Sequence, residues 1–126
     1  MTATVDVLLI EDEPSIAEAV RFILSREGWR CEQWPEGSGA LQRIRGLAPR
    51  MVILDVMLPG RSGAEVLADL RADPDLRALP VLLLSARGMA NLPQGADRTL
   101  AKPFANADLR AMVRELLDAG QGAAGQ

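Results

Sequence analysis

Residues that could carry out chemistry follow the apolar segments of this chain. Asp55 ends the most apolar run, and two further acids, Glu11 and Asp12, follow the first apolar segment. A hydroxyl group, on Ser85, and an ammonium group, on Lys102, follow two later segments. Because the carboxyl ends of parallel strands share one edge of a sheet, these side chains are expected to meet in one crevice. Alone, Asp55 could equally be a turn residue, but their convergence favours a functional role.

The predicted crevice contains three carboxylates, which repel one another unless a positive charge compensates them. The chain has no histidine and one cysteine, Cys31, so a metal ion there would have oxygen ligands. Mg²⁺ is the cation that suits such a site best, with Mn²⁺ as an alternative. This kind of site is suited to phosphoryl transfer, with Asp55 as the nucleophile that becomes an aspartyl phosphate.

Length and composition exclude several classes of protein. A chain of 126 residues fits a single domain that needs no disulfide to fold. Its 14 basic and 17 acidic residues lack the positive surplus of a direct nucleic-acid binder. Because neither a signal peptide nor a bilayer-spanning apolar run is present, we expect a cytoplasmic protein without a membrane partner.

Apolar periodicity predicts strands and helices in alternation. Short apolar runs predict strands at residues 5–10, 29–34, 51–55, 81–84 and 98–101. Helical spacing and start signals predict helices at residues 14–27, 37–47, 62–72 and from 106 onward. This order indicates an α/β protein with a doubly wound, five-stranded parallel sheet.

Local signals refine these elements. Ser62 and Glu65 have the spacing of a capping box at the start of the third helix. Only a short fourth helix fits between the fourth and fifth strands, because Pro93 would interrupt a longer one. We expect one domain over residues 1–119 and a flexible tail over 120–126.

Several short motifs place these predictions in a known family. They are Glu11-Asp12, Leu54-Asp55, Met57-Leu58-Pro59-Gly60, Gly63, Ser85-Ala86 and Lys102-Pro103-Phe104. With these motifs, the chain from residue 5 to 117 resembles the receiver domain of two-component response regulators, which includes a chemotaxis regulator. The resemblance implies a flavodoxin-like sheet with strand order 2-1-3-4-5.

The resemblance also implies roles for individual residues. Asp55 would accept a phosphoryl group from a partner histidine kinase, a histidine phosphotransfer protein or a small acyl phosphate. Mg²⁺ would be bound by Asp12, Asp55, the Met57 backbone carbonyl and, through water, Glu11. The phosphoryl oxygens would be held by Ser85, Ala86 and Lys102.

Two departures from the family pattern concern the output surface. Family members usually have an aromatic residue three positions before the lysine, where this chain has Thr99. The segment between Ser85 and Lys102 is also shorter than usual, so the fourth helix is short or missing. We therefore expect residues 86–97, with Arg87 and Pro93, to form a mobile output loop for an unknown output protein. The receiver would be a monomer or a phosphorylation-dependent dimer.

Other functions fit the residues less well. A pseudo-receiver, an interaction module without phosphorylation, would not need to assemble repelling carboxylates. A phosphatase that resembles the haloacid dehalogenases would need a second acid where Met57 stands. A flavin carrier would need a phosphate-binding loop, and the acids after the first strand would repel a flavin phosphate. We expect a signalling protein that catalyses only its own phosphorylation and dephosphorylation, not an enzyme with a separate substrate.

Overall fold

The computed structural model describes residues 4–86, 88–89 and 91–124, in which strands and helices alternate except between the last two strands. The strands are β1 (Val7–Ile10), β2 (Cys31–Trp34), β3 (Met51–Asp55), β4 (Val81–Ala86) and β5 (Arg98–Lys102). The helices are α1 (Pro14–Arg26), α2 (Ala40–Leu47), α3 (Gly63–Ala72) and α4 (Asn106–Ala124). Arg87, one of the predicted output residues, lies outside the described residues.

The strands form one parallel sheet in the order β2-β1-β3-β4-β5, which confirms the predicted fold class and strand order. The apolar side chains of β1, β3 and β4 are buried because helices cover both faces of a parallel sheet. Ile10 pairs with Leu54, and Asp55 pairs with Leu84. In this register the segments that follow β1, β3 and β4 leave the sheet at the same edge.

Two hydrophobic clusters join the sheet to its helices. On one face Val20 of α1 and Val113 of α4 belong to the cluster that contains Leu9. On the other face Ile44 of α2 and Leu67 of α3 belong to a second cluster. Burial of each large aliphatic side chain contributes about 1.5–3 kcal/mol, so these clusters are the main source of stability.

The start of α3 has the predicted capping box. The Glu65 amide donates to the Ser62 hydroxyl at 3.1 Å, and the Ser62 amide donates to the Glu65 carboxylate at 3.0 Å. Both bonds satisfy amides that the first turn of a helix leaves unpaired. The capping box therefore fixes where the chain turns into α3 after the loop that follows Asp55.

The predicted start of the second helix at residue 37 was wrong, since α2 begins at Ala40. Gly39 has a φ of 75°, which lies outside the helical region. The Gly37 amide donates to the Pro59 carbonyl at 3.1 Å, so this turn is held by the loop after β3 instead of by the helix.

The described residues between β4 and β5 contain no helix, in agreement with the prediction of a short or missing fourth helix. Pro93 has no amide to donate within a helix, and Gly88 and Gly95 have φ values of 79° and 109°. The helix named α4 therefore follows β5.

The C-terminal helix extends past the predicted end of the domain at residue 119. Its backbone continues to Ala124, into the segment for which a flexible tail is predicted, and residues 125 and 126 lie outside the description. Within the described part of the chain, no helix combines the length and apolarity needed to span a bilayer.

Candidate functional site

Buried polar side chains collect at the carboxyl edge of the sheet. Among the described residues, the polar or charged residues that are buried are Glu11, Asp55 and Ser85, with exposed fractions of 0%, 2% and 3%. Glu11 follows β1 directly, Asp55 is the last residue of β3, and Ser85 lies in β4. Burying polar groups is costly unless they have partners. Their concentration at one edge therefore points to a binding or catalytic site.

Three carboxylates converge there. Glu11, Asp12 and Asp55 each have a carboxylate oxygen that lies within 4.8 Å of those of the other two. Asp12 is exposed, whereas the other two acids are buried, so the cluster opens to solvent on one side. The arrangement agrees with the predicted crevice, and the three oxygens are close enough together to bind a single cation.

Lys102 supplies the positive charge of the site. It is the last residue of β5, and its Nζ donates to Asp55 Oδ2 at 3.0 Å. The same Nζ lies 3.6 Å from Glu11 Oε1, an ion-pair distance that is too long for a hydrogen bond. Glu11 Oε1 is buried and has no hydrogen-bond partner in the described part of the chain, so one lysine does not satisfy both acids.

Backbone and side-chain amides orient the acids. The Met57 amide donates to Asp55 Oδ1 at 3.2 Å, and the Glu13 amide donates to Glu11 Oε2 at 3.2 Å. The Gln33 side chain donates to the Glu11 carbonyl at 3.0 Å, which ties the acidic loop to the neighbouring strand. Sequence reasoning missed Gln33. Its position near the end of a strand that flanks β1 was the available signal.

Gly63 allows α3 to begin directly beside the end of β3. A Cβ atom at this position would lie 2.1 Å from the Asp55 carbonyl oxygen and 2.7 Å from the Val56 Cα, which no side chain could occupy. The Gly63 amide donates to the Val56 carbonyl at 2.9 Å. Close packing against β3 therefore requires glycine at position 63, which the spacing of the sequence motif alone did not reveal.

Comparison with known proteins settles the family. The family model described as the response regulator receiver domain matches residues 7–114. This chain belongs to the response regulator receiver domain family. The receiver is 41% identical over 118 residues to the probable transcriptional regulatory protein TcrX of Mycobacterium tuberculosis, covering 90% of this chain and 50% of TcrX. It is 38% identical over 116 residues to the DNA-binding response regulator MtrA of Mycolicibacterium smegmatis, covering 88% and 50%. It thus spans about half the length of these relatives.

Solved receiver structures share the fold. A putative response regulator from Chloroflexus aurantiacus superposes with a TM-score of 0.85 at 30% identity, covering 92% of this chain and 99% of the other. The receiver domain of the sensor histidine kinase PA1611 from Pseudomonas aeruginosa has a TM-score of 0.84 at 25% identity, with coverages of 92% and 99%. That crystal structure has a magnesium ion coordinated in its active-site cleft.

The residues of this receiver fit a magnesium ion. Its acidic cluster offers only oxygen atoms, which are the ligands that Mg²⁺ prefers. The buried Glu11 Oε1 is an acceptor without a hydrogen-bond donor among the described residues, and the Lys102 ammonium that it faces at 3.6 Å is shared with Asp55. A divalent ion would therefore compensate charge that Lys102 leaves uncompensated.

The electrostatics of the receiver site agree with this fit. Burial, followed by contact with the Asp55 carboxyl that favours a shared proton, raises the pKa of Glu11 from 4.5 to about 7. Burial lowers the pKa of Lys102, but its hydrogen bond to Asp55 and the charges of Asp55 and Glu11 outweigh burial and raise that pKa overall. Without a metal ion, the Glu11 carboxyl therefore retains its proton up to near-neutral pH.

The remaining predicted residues have different positions. Ala86 ends β4 and is exposed, and Met57 is 67% exposed although its amide contacts Asp55. Thr99 is exposed on β5, where it pairs with Leu83 of β4. Pro93 lies in the connection between β4 and β5. The structure thus brings the predicted chemical residues together, whereas Thr99 and Pro93 lie along β5 and its preceding connection.

Proposed function

We propose that this receiver is a phosphoacceptor switch in a two-component system, with Asp55 as the residue that is phosphorylated. The observation that carries this proposal is the buried Asp55 carboxylate between the Lys102 ammonium and two further acids. Such a group is shielded from solvent and held in one orientation, as a nucleophile for phosphoryl transfer must be.

The proposed reaction transfers a phosphoryl group from a histidine of a kinase or phosphotransfer protein. A carboxylate oxygen of Asp55 attacks phosphorus, an O–P bond forms as the N–P bond breaks, and the donor imidazole nitrogen takes the electron pair. A small acyl phosphate would donate in the same way, with a carboxylate as leaving group. The Met57 amide, which donates to Asp55 Oδ1, restricts rotation of the attacking carboxylate.

The groups around Asp55 have complementary tasks in this proposal. Lys102, which donates to Asp55 Oδ2 before transfer, is assigned to a phosphoryl oxygen afterwards, together with the Ser85 hydroxyl and the Ala86 amide. Mg²⁺ or Mn²⁺ would be held by Glu11, Asp12, Asp55 and the Met57 carbonyl, and would supply positive charge that neutralises the transferred group. The receiver itself turns over no separate substrate.

A groove beside Lys102 gives the phosphodonor protein a place to bind. Its volume is about 520 Å³, and its walls include Ile16 and Ala19 of α1 and Phe104 after β5. An apolar surface next to a charged reaction centre suits a partner helix that presents a histidine at its polar rim. We propose this groove as the approach for the donor.

The output of the switch is proposed to be another protein or domain. With 14 basic and 17 acidic residues, the chain itself lacks the charge for direct nucleic-acid binding. We propose that the switch acts in the cytoplasm, as a monomer or a phosphorylation-dependent dimer, through the surface of residues 86–99. A pseudo-receiver that is not phosphorylated is the competing function.

Phosphorylation by acetyl phosphate tests the proposal. In the presence of Mg²⁺, we expect the protein to gain the mass of one phosphoryl group, and we expect chelation to abolish the gain. Asp55→Asn should gain none, because the amide is not a nucleophile of this kind. Asp118→Asn, which changes an exposed acid on α4, is the matched control and should behave like the parent. Equal phosphorylation of Asp55→Asn and parent would favour another acceptor, and no phosphorylation of either would favour the pseudo-receiver.

A further inference from the structure

Arg71, near the end of α3, binds the segment that leads into β5. Its Nε donates to the Gly95 carbonyl at 2.7 Å, and its Nη2 donates to Asp97 Oδ2 at 3.0 Å. Its Nη1 donates to the carbonyls of Arg77 and Leu79, each at 2.8 Å. One guanidinium group therefore joins α3, the segment before β4 and the segment before β5.

Asp97 extends this junction to the sheet. Its Oδ2, which accepts from Arg71, also accepts from the Val81 amide at 2.8 Å. The Asp97 amide donates to the Val81 carbonyl at 3.0 Å. The first residue of β4 and the residue before β5 are thus linked through both backbone and side chain. Arg71 holds the side chain that completes the link.

Arg71 is more than a surface ion pair. Its side chain is only 23% exposed, and all four of its hydrogen bonds are made by a charged donor. Charge-assisted hydrogen bonds are about twice as strong as neutral ones. A lysine has one compact ammonium group and could not reach these separate acceptors, because the planar fork of arginine is what spans them.

Gly95 marks where the held part of the connection begins. Its φ of 109° is unfavourable for a residue with a side chain, and a Cβ atom there would lie 3.4 Å from the Arg71 Cγ. At the other end of the connection, the Met89 amide donates to the Ala86 carbonyl at 3.2 Å, next to the buried Ser85. One end of the connection therefore adjoins the proposed phosphoryl site and the other is fixed to α3.

We propose that Arg71 is a positioning residue that latches the C-terminal end of the β4–β5 connection. With residues 95–97 held, a response to phosphorylation is confined to the part of the connection between Ser85 and Gly95. That part is then the surface that changes for an output partner, and β5 keeps its place in the sheet without a helix in the described part of the connection that precedes it. This inference rests on the proposed function, since it describes where the signal from Asp55 ends.

Hydrogen exchange followed by NMR tests the latch with beryllofluoride and Mg²⁺ as the probe. In the parent, we expect the probe to change exchange at the amides of Gly88, Met89 and Leu92 and to leave those of Asp97 and Thr99 within about twofold. In Arg71→Lys and Arg71→Gln, the Asp97 amide should exchange about tenfold faster or more, as expected for loss of a charge-assisted hydrogen bond. The probe's effect should then extend to Thr99.

Arg77→Gln is the matched control, because it removes a neighbouring exposed arginine but keeps the carbonyl that Arg71 uses. It should behave like the parent. The latch is overturned if Asp97 and Thr99 already respond in the parent, or if the Arg71 variants show the parent's pattern. It is also overturned if those variants lose protection uniformly over β1 and β3, which would make Arg71 a general stabiliser.

Failure of the proposed function gives a different result. The probe would then leave the Met57 amide, which contacts Asp55, unchanged in the parent and in Asp55→Asn alike. A probe that changes Met57 only in the parent would support the function whatever the outcome at Asp97.

Discussion

The two edges of the sheet, at the carboxyl ends and at the amino ends of its strands, hold charge in opposite ways. At the carboxyl end, the acids Glu11 and Asp55 are buried, and Glu11 Oε1 has no hydrogen-bond partner. At the amino end, Arg71 and Asp97 are partly exposed. All three nitrogens of the Arg71 guanidinium donate hydrogen bonds, one of them to the Asp97 carboxylate. The comparison shows that charge stays uncompensated at the edge where a ligand is expected and is paired at the edge where the sheet must stay closed.

The largest expected effect comes from removing the cation of the carboxyl end. Lys102→Met should lower the free energy of unfolding by about 3 kcal/mol at pH 8 without Mg²⁺, because it leaves buried acids unpaired. Urea unfolding measures this loss, and Mg²⁺ should restore part of it. Lys102→Arg, which keeps the charge, should lose less. A loss in Lys102→Met that Mg²⁺ does not reduce would contradict the proposed metal site.

A change of pH should have an effect of similar size on stability. The pKa of Glu11 is about 7 in the folded protein and 4.5 when unfolded, so the folded state binds more protons between these values. Stability of the metal-free protein should therefore fall as pH rises from 4.5 through 7, by up to about 3 kcal/mol from this residue. Unfolding curves at several pH values measure the slope.

Glu11→Gln is the control for this pH effect, since it cannot ionise and should flatten the slope. Mg²⁺ should bind the parent more tightly as pH rises through 7, because the proton on Glu11 must leave first. If the parent becomes more stable over the same pH range once the slope of Glu11→Gln is subtracted, ionisation of Glu11 does not destabilise the folded protein.

The smallest effect should come from changing the capping box at the start of α3, away from both edges of the sheet. Ser62→Ala removes the capping hydroxyl of α3 and should cost about 1 kcal/mol, measured by thermal unfolding. Ser62→Asp retains a capping oxygen and should cost less. Phosphorylation by acetyl phosphate should be unchanged in both, because neither hydroxyl nor carboxylate at this position contacts Asp55. A large loss of phosphorylation would show that the capping box of α3 also controls the geometry of the site around Asp55.

Most of the candidate site could be predicted because local signals marked it. Buried parallel strands are apolar along their length, so polar residues such as Asp55 and Ser85 stand out at the strand ends. The capping box at Ser62 is likewise a signal within a few residues. Convergence of the side chains then followed from the parallel order of the strands.

Other features depend on contacts between distant parts of the chain. Arg71 meets Gly95 and Asp97 only after α3 has packed beside β4, and nothing near Arg71 in the sequence identifies these partners. Gln33 reaches the Glu11 carbonyl from a neighbouring strand. The raised pKa of Glu11 follows from complete burial, which spacing does not reveal.

The connection between β4 and β5 also has a consequence for how the protein folds. Because it contains no helix among its described residues, β4 and β5 close the shortest loop of the four strand pairs. Short loops lose less entropy on closure, and local pairs form faster than distant ones. We expect the β4–β5 pair to assemble early, before β1 and β3 complete the centre of the sheet.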